Sequence, residues 1–368
     1  MEYKASFRHI LIVLLFLFVS FQSALGGTIY VDASATGANN GSSWENAYIY
    51  LQNALAAATS GDQIWVAKGT YKPDRGNGIT PGDRNATFQL KNGVSIYGGF
   101  PTGGGTWESR DPNLYQTILT GDLAGNDLPG FVNNSENSYH VIAWGVDFVV
   151  DGCFIVGGNA NGADGSRNSG GGVWVGGNCV FRNCTIQENS SSYDGGGVYA
   201  GGANCVFSNC IISKNRTTVY SGNASALVSY DGVCTLVDCT VAGNDTQGTS
   251  TIFTNSSLFL VNCILKSNIH RSSILYSSVI GGGLFSTITV NNCTIINNIG
   301  CGFQCSWNAT LNIYNTIIAR NSGAGVYLGG NWKIGNCTIA DNALGGIDWS
   351  TSHGQRLSNI FSVNFLWL

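Results

Sequence analysis

The sequence predicts an all-β solenoid: parallel strands stacked coil on coil, three strands per coil, behind a short N-terminal capping helix. Three observations predict it. The phrase CVFRNCTIQEN at 179–189 returns as CVFSNCIISKN at 205–215, and its central position recurs at Cys184, Cys210, Cys239, Cys263, Cys293, Thr316, Cys337 and Asn359, with a divergent copy at Cys153. From Cys184 to Asn359 seven steps span 175 residues, a mean of 25, the period of one coil in a repeat array. Within each phrase apolar residues alternate at period two, the mark of a strand with one buried face.

The N-terminus reads as an export signal. Lys4 and Arg8 precede an apolar run, Ile10–Phe21, and Ala24-Leu25-Gly26 offers small residues for cleavage. Residues 1–26 are therefore expected to be removed. The alternative is an uncleaved anchor, for which the run is short against the ~20 residues of a spanning helix. No Cys follows the cut, which argues against lipidation there, and no second run of spanning length follows. Loss of Glu2, Lys4 and Arg8 takes the net charge from −4 to −5. With 43% apolar and 10% charged residues the chain can build a large core, and without a basic run it lacks a nucleic-acid footprint.

Residues 27–150 are predicted to form the cap and irregular first coils. Ile29–Asp32 and Gln63–Ala67 read as strands. Between them Ser42-Ser43-Trp44-Glu45 reads as a capping box opening a helix through Ala58, with Ala47, Tyr50/Leu51, Ala54 and Ala58 on its apolar face. Residues 151–368 carry the regular coils, continuous with 27–150. The chain stops at NFLWL within a coil, so no plug is expected at that end.

In each regular coil the position five before the anchor (Cys179, Cys205, Cys234, Leu258), three before it (Phe181, Phe207, Leu236, Leu260) and two after it (Ile186, Ile212, Val241, Leu265) are apolar. Columns five before and at the anchor have opposite parity, so one straight strand cannot bury both. The residue before the anchor is Asn183, Asn209, Asp238, Asn262, Asn292, Asn315 or Asn336, types that tolerate the left-handed conformation of a one-residue corner. Five after the anchor stand Asn189, Asn215, Asn244, Asn268, Asn298, Asn321, Asn342 and Asn364, expected to end the second strand and bond from coil to coil. A Gly-rich, apolar-aromatic third strand precedes each phrase, as in GGGVWV (170–175), GGGVYA (195–200) and GGGLFS (281–286).

These blocks, with TIYVDASATGANNGSSWENAYIYLQNAL, GDQIWVAKGTYKP, VSIYGGF, TILTGD and NSYHV, resemble the right-handed parallel β-helix proteins with a pectate-lyase-like fold. The resemblance is nearer to the secreted bacterial proteins labelled choice-of-anchor Q and to relatives of polymorphic outer membrane proteins. It spans Thr28 to the C-terminus. It implies a secreted or cell-surface β-helix whose helix plugs the N-terminal end, and in the lyases of this fold a site on the loop side of the coils.

Twelve Cys in an exported chain raise the question of disulfides. Cys184, Cys210, Cys239, Cys263 and Cys293 should stack as buried thiols. Cys301 and Cys305 lie outside the columns and are the better bridge candidates. No spacing of Cys or His suggests zinc.

Two functions stand open. The first is non-catalytic binding of a polysaccharide or cell-surface glycan, adhesin-like, along an outward aromatic column: Trp174, Tyr199, Leu227, Phe253, Phe285, Phe303 and Tyr327, with Val173, Val198, Ile252, Leu284 and Val326 pointing in. The competing reading makes these aromatics core or loop-covered. The second is an uronan lyase or hydrolase. Its candidate bases are Lys214, Arg216 and Arg271, with His270, Asp164 and Asp194 beside the long loops at 160–169, 216–224 and 269–280, but these groups form no acidic cluster on adjacent coils. Glu188, Asp194, Asp231, Asp245, Asp341 and Asp348 lie on scattered columns, unlike a hydrolase carboxylate pair. Separately, GDLAGND places Asp122, Asn126 and Asp127 in one loop, a Ca²⁺ site or a plain polar turn.

Overall fold

Period-two burial is what the strands of the computed structural model display. In Cys179–Arg182, Cys179 and Phe181 are buried while Val180 and Arg182 face outward, and the same pattern repeats in Cys205–Ser208 and Ser257–Val261. The structure describes residues 26–220, 222–271, 277–349 and 357–358. The expected signal segment up to residue 25, the repeat positions Asn359 and Asn364 and the NFLWL terminus lie outside the described residues.

Among the described residues three long parallel sheets wrap the core, and each regular coil contributes one strand to each. Face A has twelve strands, from Thr28–Val31 through Cys179–Arg182 to Leu357–Ser358. Face B has ten, from Gly69–Tyr71 through Thr185–Gln187 to Thr338–Ala340. Face C has ten, from Phe88–Gln89 through Val173–Val175 to Ile347–Trp349. The chain is all-β and folds as a right-handed parallel β-helix.

Register follows the predicted columns. Cys179 pairs with Cys205, Cys205 with Cys234 and Cys234 with Leu258, while Ile186, Ile212 and Val241 align on face B. Inside, Phe148 meets Phe181 edge-on at 5.9 Å and Phe181 stacks on Phe207 at 5.2 Å.

The corner before each anchor is left-handed, from Asn183 (φ 49°) and Asn209 (52°) to Asn336 (53°). The corner amides form their own chain, Asn209 Nδ2 donating to Asn183 Oδ1 at 2.7 Å and Asn292 Nδ2 to Asn262 Oδ1 at 2.8 Å. The anchor thiols take up carbonyls of the preceding coil. Cys184, Cys210, Cys239 and Cys263 each place Sγ 3.4 Å from the oxygen of Val150, Phe181, Phe207 and Leu236 respectively. A small side chain with a weak donor suits this corner better than a pure hydrocarbon.

The second Asn column forms a buried ladder. Each amide oxygen accepts from the backbone N–H and the side-chain amide of the coil before it, as Asn244 Oδ1 does from Asn215 N (3.0 Å) and Nδ2 (3.1 Å). Each Nδ2 also donates to the preceding coil's carbonyl, as Asn244 does to Ile212 O at 2.9 Å. The ladder runs from Gly158 N through Asn189, Asn215, Asn244, Asn268, Asn298 and Asn321 to Asn342.

Several expectations are corrected. The helix is Leu51–Ala57, starting at Tyr50 rather than Ser42, because Ser43 Oγ accepts from Asn46 N and closes a turn there instead. Its Leu51, Ala54 and Leu55 are buried as expected of a cap. Among the described residues a short fourth strand occurs in five coils, after Gly158 in the first (Asn159–Ala160) and after a ladder Asn in the other four, to Ile269–His270, so the predicted loops after it are shorter than read. There the Gly runs are required: a Cβ on Gly171 or Gly196 would overlap the carbonyl of Ser190 or Arg216. The sequence-level bridge assignment also changes. Cys301 and Cys305 are free and buried, whereas Cys179 and Cys205, with Cα atoms 4.8 Å apart, are disulfide-bonded. Stacking in one column brings that pair within reach; Cys301 and Cys305 sit at opposite ends of one strand.

Candidate functional site

Face C carries the side chains that sequence reasoning singled out. In Val198–Gly201, Val198 and Ala200 are buried and Tyr199 turns outward. Register places Trp174 against Tyr199, Tyr199 against Val228, and Val228 against Phe253. Tyr230 lies two residues beyond Val228 on the same side.

The rings form a continuous ladder across the coils. Trp144 meets Trp174 at 4.6 Å, Trp174 stacks on Tyr199 at 6.1 Å with planes 7° apart, Tyr199 meets Tyr230 at 5.8 Å and Tyr230 meets Phe253 at 6.1 Å. Trp144 is 52% exposed and the other four are partly exposed. Trp174, Tyr199 and Phe253 thus come together as predicted. Trp144 and Tyr230 were not legible: Trp144 follows a strand without the Gly-rich signature, and Tyr230 ends a strand, Ala224–Tyr230, longer than its neighbours.

Three members of the predicted column fall elsewhere. Leu227 and Phe303 are fully buried, in register with Val198 and Val326. Phe285 is 75% exposed in a left-handed turn, because its strand, Ser278–Gly282, starts early and Ser286 N closes back on Gly283 O. Gly281 therefore takes the place opposite Phe253, and Leu284, expected inside, is exposed. Tyr327 pairs with Gln304, so Gly281 and Gln304 separate it from the ladder.

One carboxylate is built into the ladder's support. Asp194 accepts from Tyr230 Oη at 2.9 Å and from Asn223 N at 2.7 Å, and Asn223 Nδ2 donates to Tyr230 Oη at 2.5 Å. It is almost fully buried, and burial pushes its carboxyl above the ordinary range against the pull of those hydrogen bonds. The same burial, with the Asp194 charge, pushes the Tyr230 phenol up. This network fixes the Tyr230 ring; it presents no free acid.

Two of the three candidate bases face carboxylates. Lys214 Nζ lies 3.5 Å from Glu188, and Arg271 Nε lies 2.7 and 2.8 Å from the two oxygens of Asp245. The Arg216 guanidinium sits 4.2 Å over the Phe131 ring. His270 is buried, its Nδ1 against the Ile299 carbonyl, and burial lowers its pKa. Asp164 pairs with Arg167 at 3.1 Å. Arg216, His270 and Arg271 gather around Asp245, while Lys214 and Asp164 pair elsewhere.

The GDLAGND loop packs beside the fourth-strand side of the coils. Asp122 Oδ1 accepts from Gly125 N (2.6 Å) and Asn126 N (3.1 Å), folding the loop on its carboxylate. Asp122 and Asp127 come together, and Glu136, from the turn Asn134–Glu136, adds a third carboxylate beside them, while the Asn126 backbone carbonyl accepts from Asn133 Nδ2. Facing ligand atoms of the three acids lie within 4.8 Å of one another. Burial, and then the charges of Asp122, Glu136 and Glu188, push the Asp127 carboxyl up to about 6, although the Asn137 amide pulls it down.

No family model and no curated protein matches the sequence. Among solved structures the chain is similar to pectate lyase Pel9A, at 14% identity over 91% of this chain and 80% of that one, with a TM-score of 0.57. It is also similar to the pectin methylesterase PemA from Erwinia chrysanthemi, at 12% identity over 83% and 92% with a TM-score of 0.46, and to a rhamnogalacturonan lyase, at 13% over 92% and 85% with 0.43. At these identities the likeness to Pel9A shows the fold alone. Among the described residues no helix is long and apolar enough to cross a membrane.

Proposed function

We propose that this chain is an exported β-helix protein that binds an extended polysaccharide along face C without cleaving it, in the manner expected of choice-of-anchor Q-type surface proteins. In this reading residues 1–26 are an export signal, 27–150 form the cap and first coils, and one solenoid continues to the C-terminus. The observation that carries it is the aromatic ladder from Trp144 to Phe253. Five partly exposed rings in file offer a continuous apolar, aromatic surface to successive sugars. Arg271 is held by both oxygens of Asp245 and Asp164 by Arg167, which favours binding over catalysis.

Affinity electrophoresis through gels containing polygalacturonate, pectin, alginate or a neutral glucan tests the reading. One of these polymers should retard the protein, and Trp174→Ala should weaken that retardation about tenfold, roughly 1.4 kcal/mol. No retardation by any polymer, or an unchanged Trp174→Ala, would sink it. Unsaturated product absorbing in the ultraviolet would replace it with the lyase reading.

A further inference from the structure

The loop at 121–138 gathers more oxygen than its hydrogen bonds consume. Besides the three carboxylates, Asn137 is 1% exposed and its Oδ1 has no partner. Its orientation is fixed, since Nδ2 donates at 2.7 Å to both Asp127 Oδ2 and Gly157 O, two acceptors that a flipped amide would face with oxygen. Asp127 Oδ1 and Glu136 Oε1 are likewise buried and unpartnered, and the hydroxyl of fully buried Ser138 has no partner either.

Buried acceptors without donors are costly, and native folds leave few of them. Two of these acceptors belong to the clustered carboxylates, and the third sits on the amide that bonds Asp127, so the group asks for a cation. The nearest cationic side chains reach the cluster only at a distance, Arg84 through the charge of Glu136. Lys72 Nζ donates to Leu123 O at 3.1 Å, and Arg84 donates to the carbonyls of Asn137 and Asn159 and to Asn161 Oδ1. Among the described residues no Lys or Arg pairs with Asp122, Asp127 or Glu136.

We propose that Asp122, Asp127, Glu136 and the Asn137 amide oxygen bind a calcium ion that pins this loop against the coils. A mixed set of carboxylate and amide oxygens from a loop and the turn after it suits Ca²⁺, which takes 6–8 oxygens in loose geometry, better than Mg²⁺, which demands a near-ideal octahedron. The loop already touches the coils at two points the ion would reinforce: Asn159 Nδ2 donates to Asn134 O at 2.7 Å, and Phe131 lies under Arg216. The site is independent of the glycan reading.

Calorimetric titration of chelator-treated protein with CaCl₂ and, separately, MgCl₂ tests it, with limited proteolysis of the loop as a second readout. One Ca²⁺ per chain is expected, bound more tightly than Mg²⁺, with cleavage within 121–138 slowed by the ion. Asp127→Asn should weaken Ca²⁺ binding about tenfold or more, while Glu188→Gln, a neighbouring carboxylate outside the set, should stay within about threefold of the parent. If Asp127→Asn fails to fold, the less buried Glu136→Gln decides on the same criterion. Absent or non-saturable binding by the parent chain, Mg²⁺ binding as tight as Ca²⁺, or unchanged affinity in the ligand variants would overturn the assignment.

Discussion

Replacing Asn244 by Leu keeps bulk and removes the middle rung of the amide ladder. Three buried groups lose their partner: the Asn215 N–H, one Asn215 Nδ2 hydrogen, and the Ile212 carbonyl. Asn268 Oδ1 keeps the Asn244 backbone N–H at 3.1 Å, so the damage there is partial. At about 1–3 kcal/mol per orphaned group, and with shared relaxation making the losses less than additive, the expected cost is about 3–6 kcal/mol. No backbone strain adds to this. The left-handed residue is Gly243 (φ 63°), one position before it, so Leu at 244 meets an ordinary conformation. Urea denaturation gives the total. Amide hydrogen exchange locates it: protection should fall first around residues 210–270, because coils couple to their neighbours, and not in the Leu51–Ala57 helix. A cost below about 0.5 kcal/mol, the scatter of ordinary surface changes, or equal loosening of the helix, would refute the ladder as a stabilising device.

Two further outcomes follow from buried titratable groups. Burial raises the Asp194 carboxyl, so the folded state holds a proton that the unfolded chain has already lost. Stability should therefore fall as pH rises from about 4 through the raised value and level off above it; Asp194→Asn should lack that slope, and identical urea midpoints against pH for both proteins would contradict it. Denaturing alkylation without reductant should label ten of the twelve cysteines, leaving the Cys179–Cys205 pair, and a count showing several bridges would discard the stacked-thiol core. Cys305 illustrates why the folded protein should resist the same reagent: burial pushes its thiol up to about 12.

Legibility in this chain followed chemistry that only a few residue types can supply. The first corner must be left-handed beside a chain of side-chain amides, and it is Asn or Asp in all seven regular coils from Asn183 to Asn336, so it stood out in the sequence. The second corner is equally left-handed, yet Glu188, Lys214, Gly243, Ser267, Asn297, Arg320 and Asp341 occupy it. There the geometry is held from both sides, by the buried Asn that follows and by backbone bonds such as Lys214 N to Ala242 O at 3.1 Å, so composition carries no trace of it. The aromatic ladder divides the same way. Trp174 and Tyr199 were visible because identical GGGV runs fix the same register in two successive coils. Phe285 was misplaced because a third Gly run, at 281–283, ends a strand instead of opening one. Glu136 was invisible for a different reason: nine residues separate it from Asp127, and only the turn at Asn134–Glu136 folds it back onto GDLAGND. Repeated local chemistry projects onto sequence; a contact made once, across a loop, does not, and both the candidate ion site and the ends of the candidate glycan track are contacts of that kind.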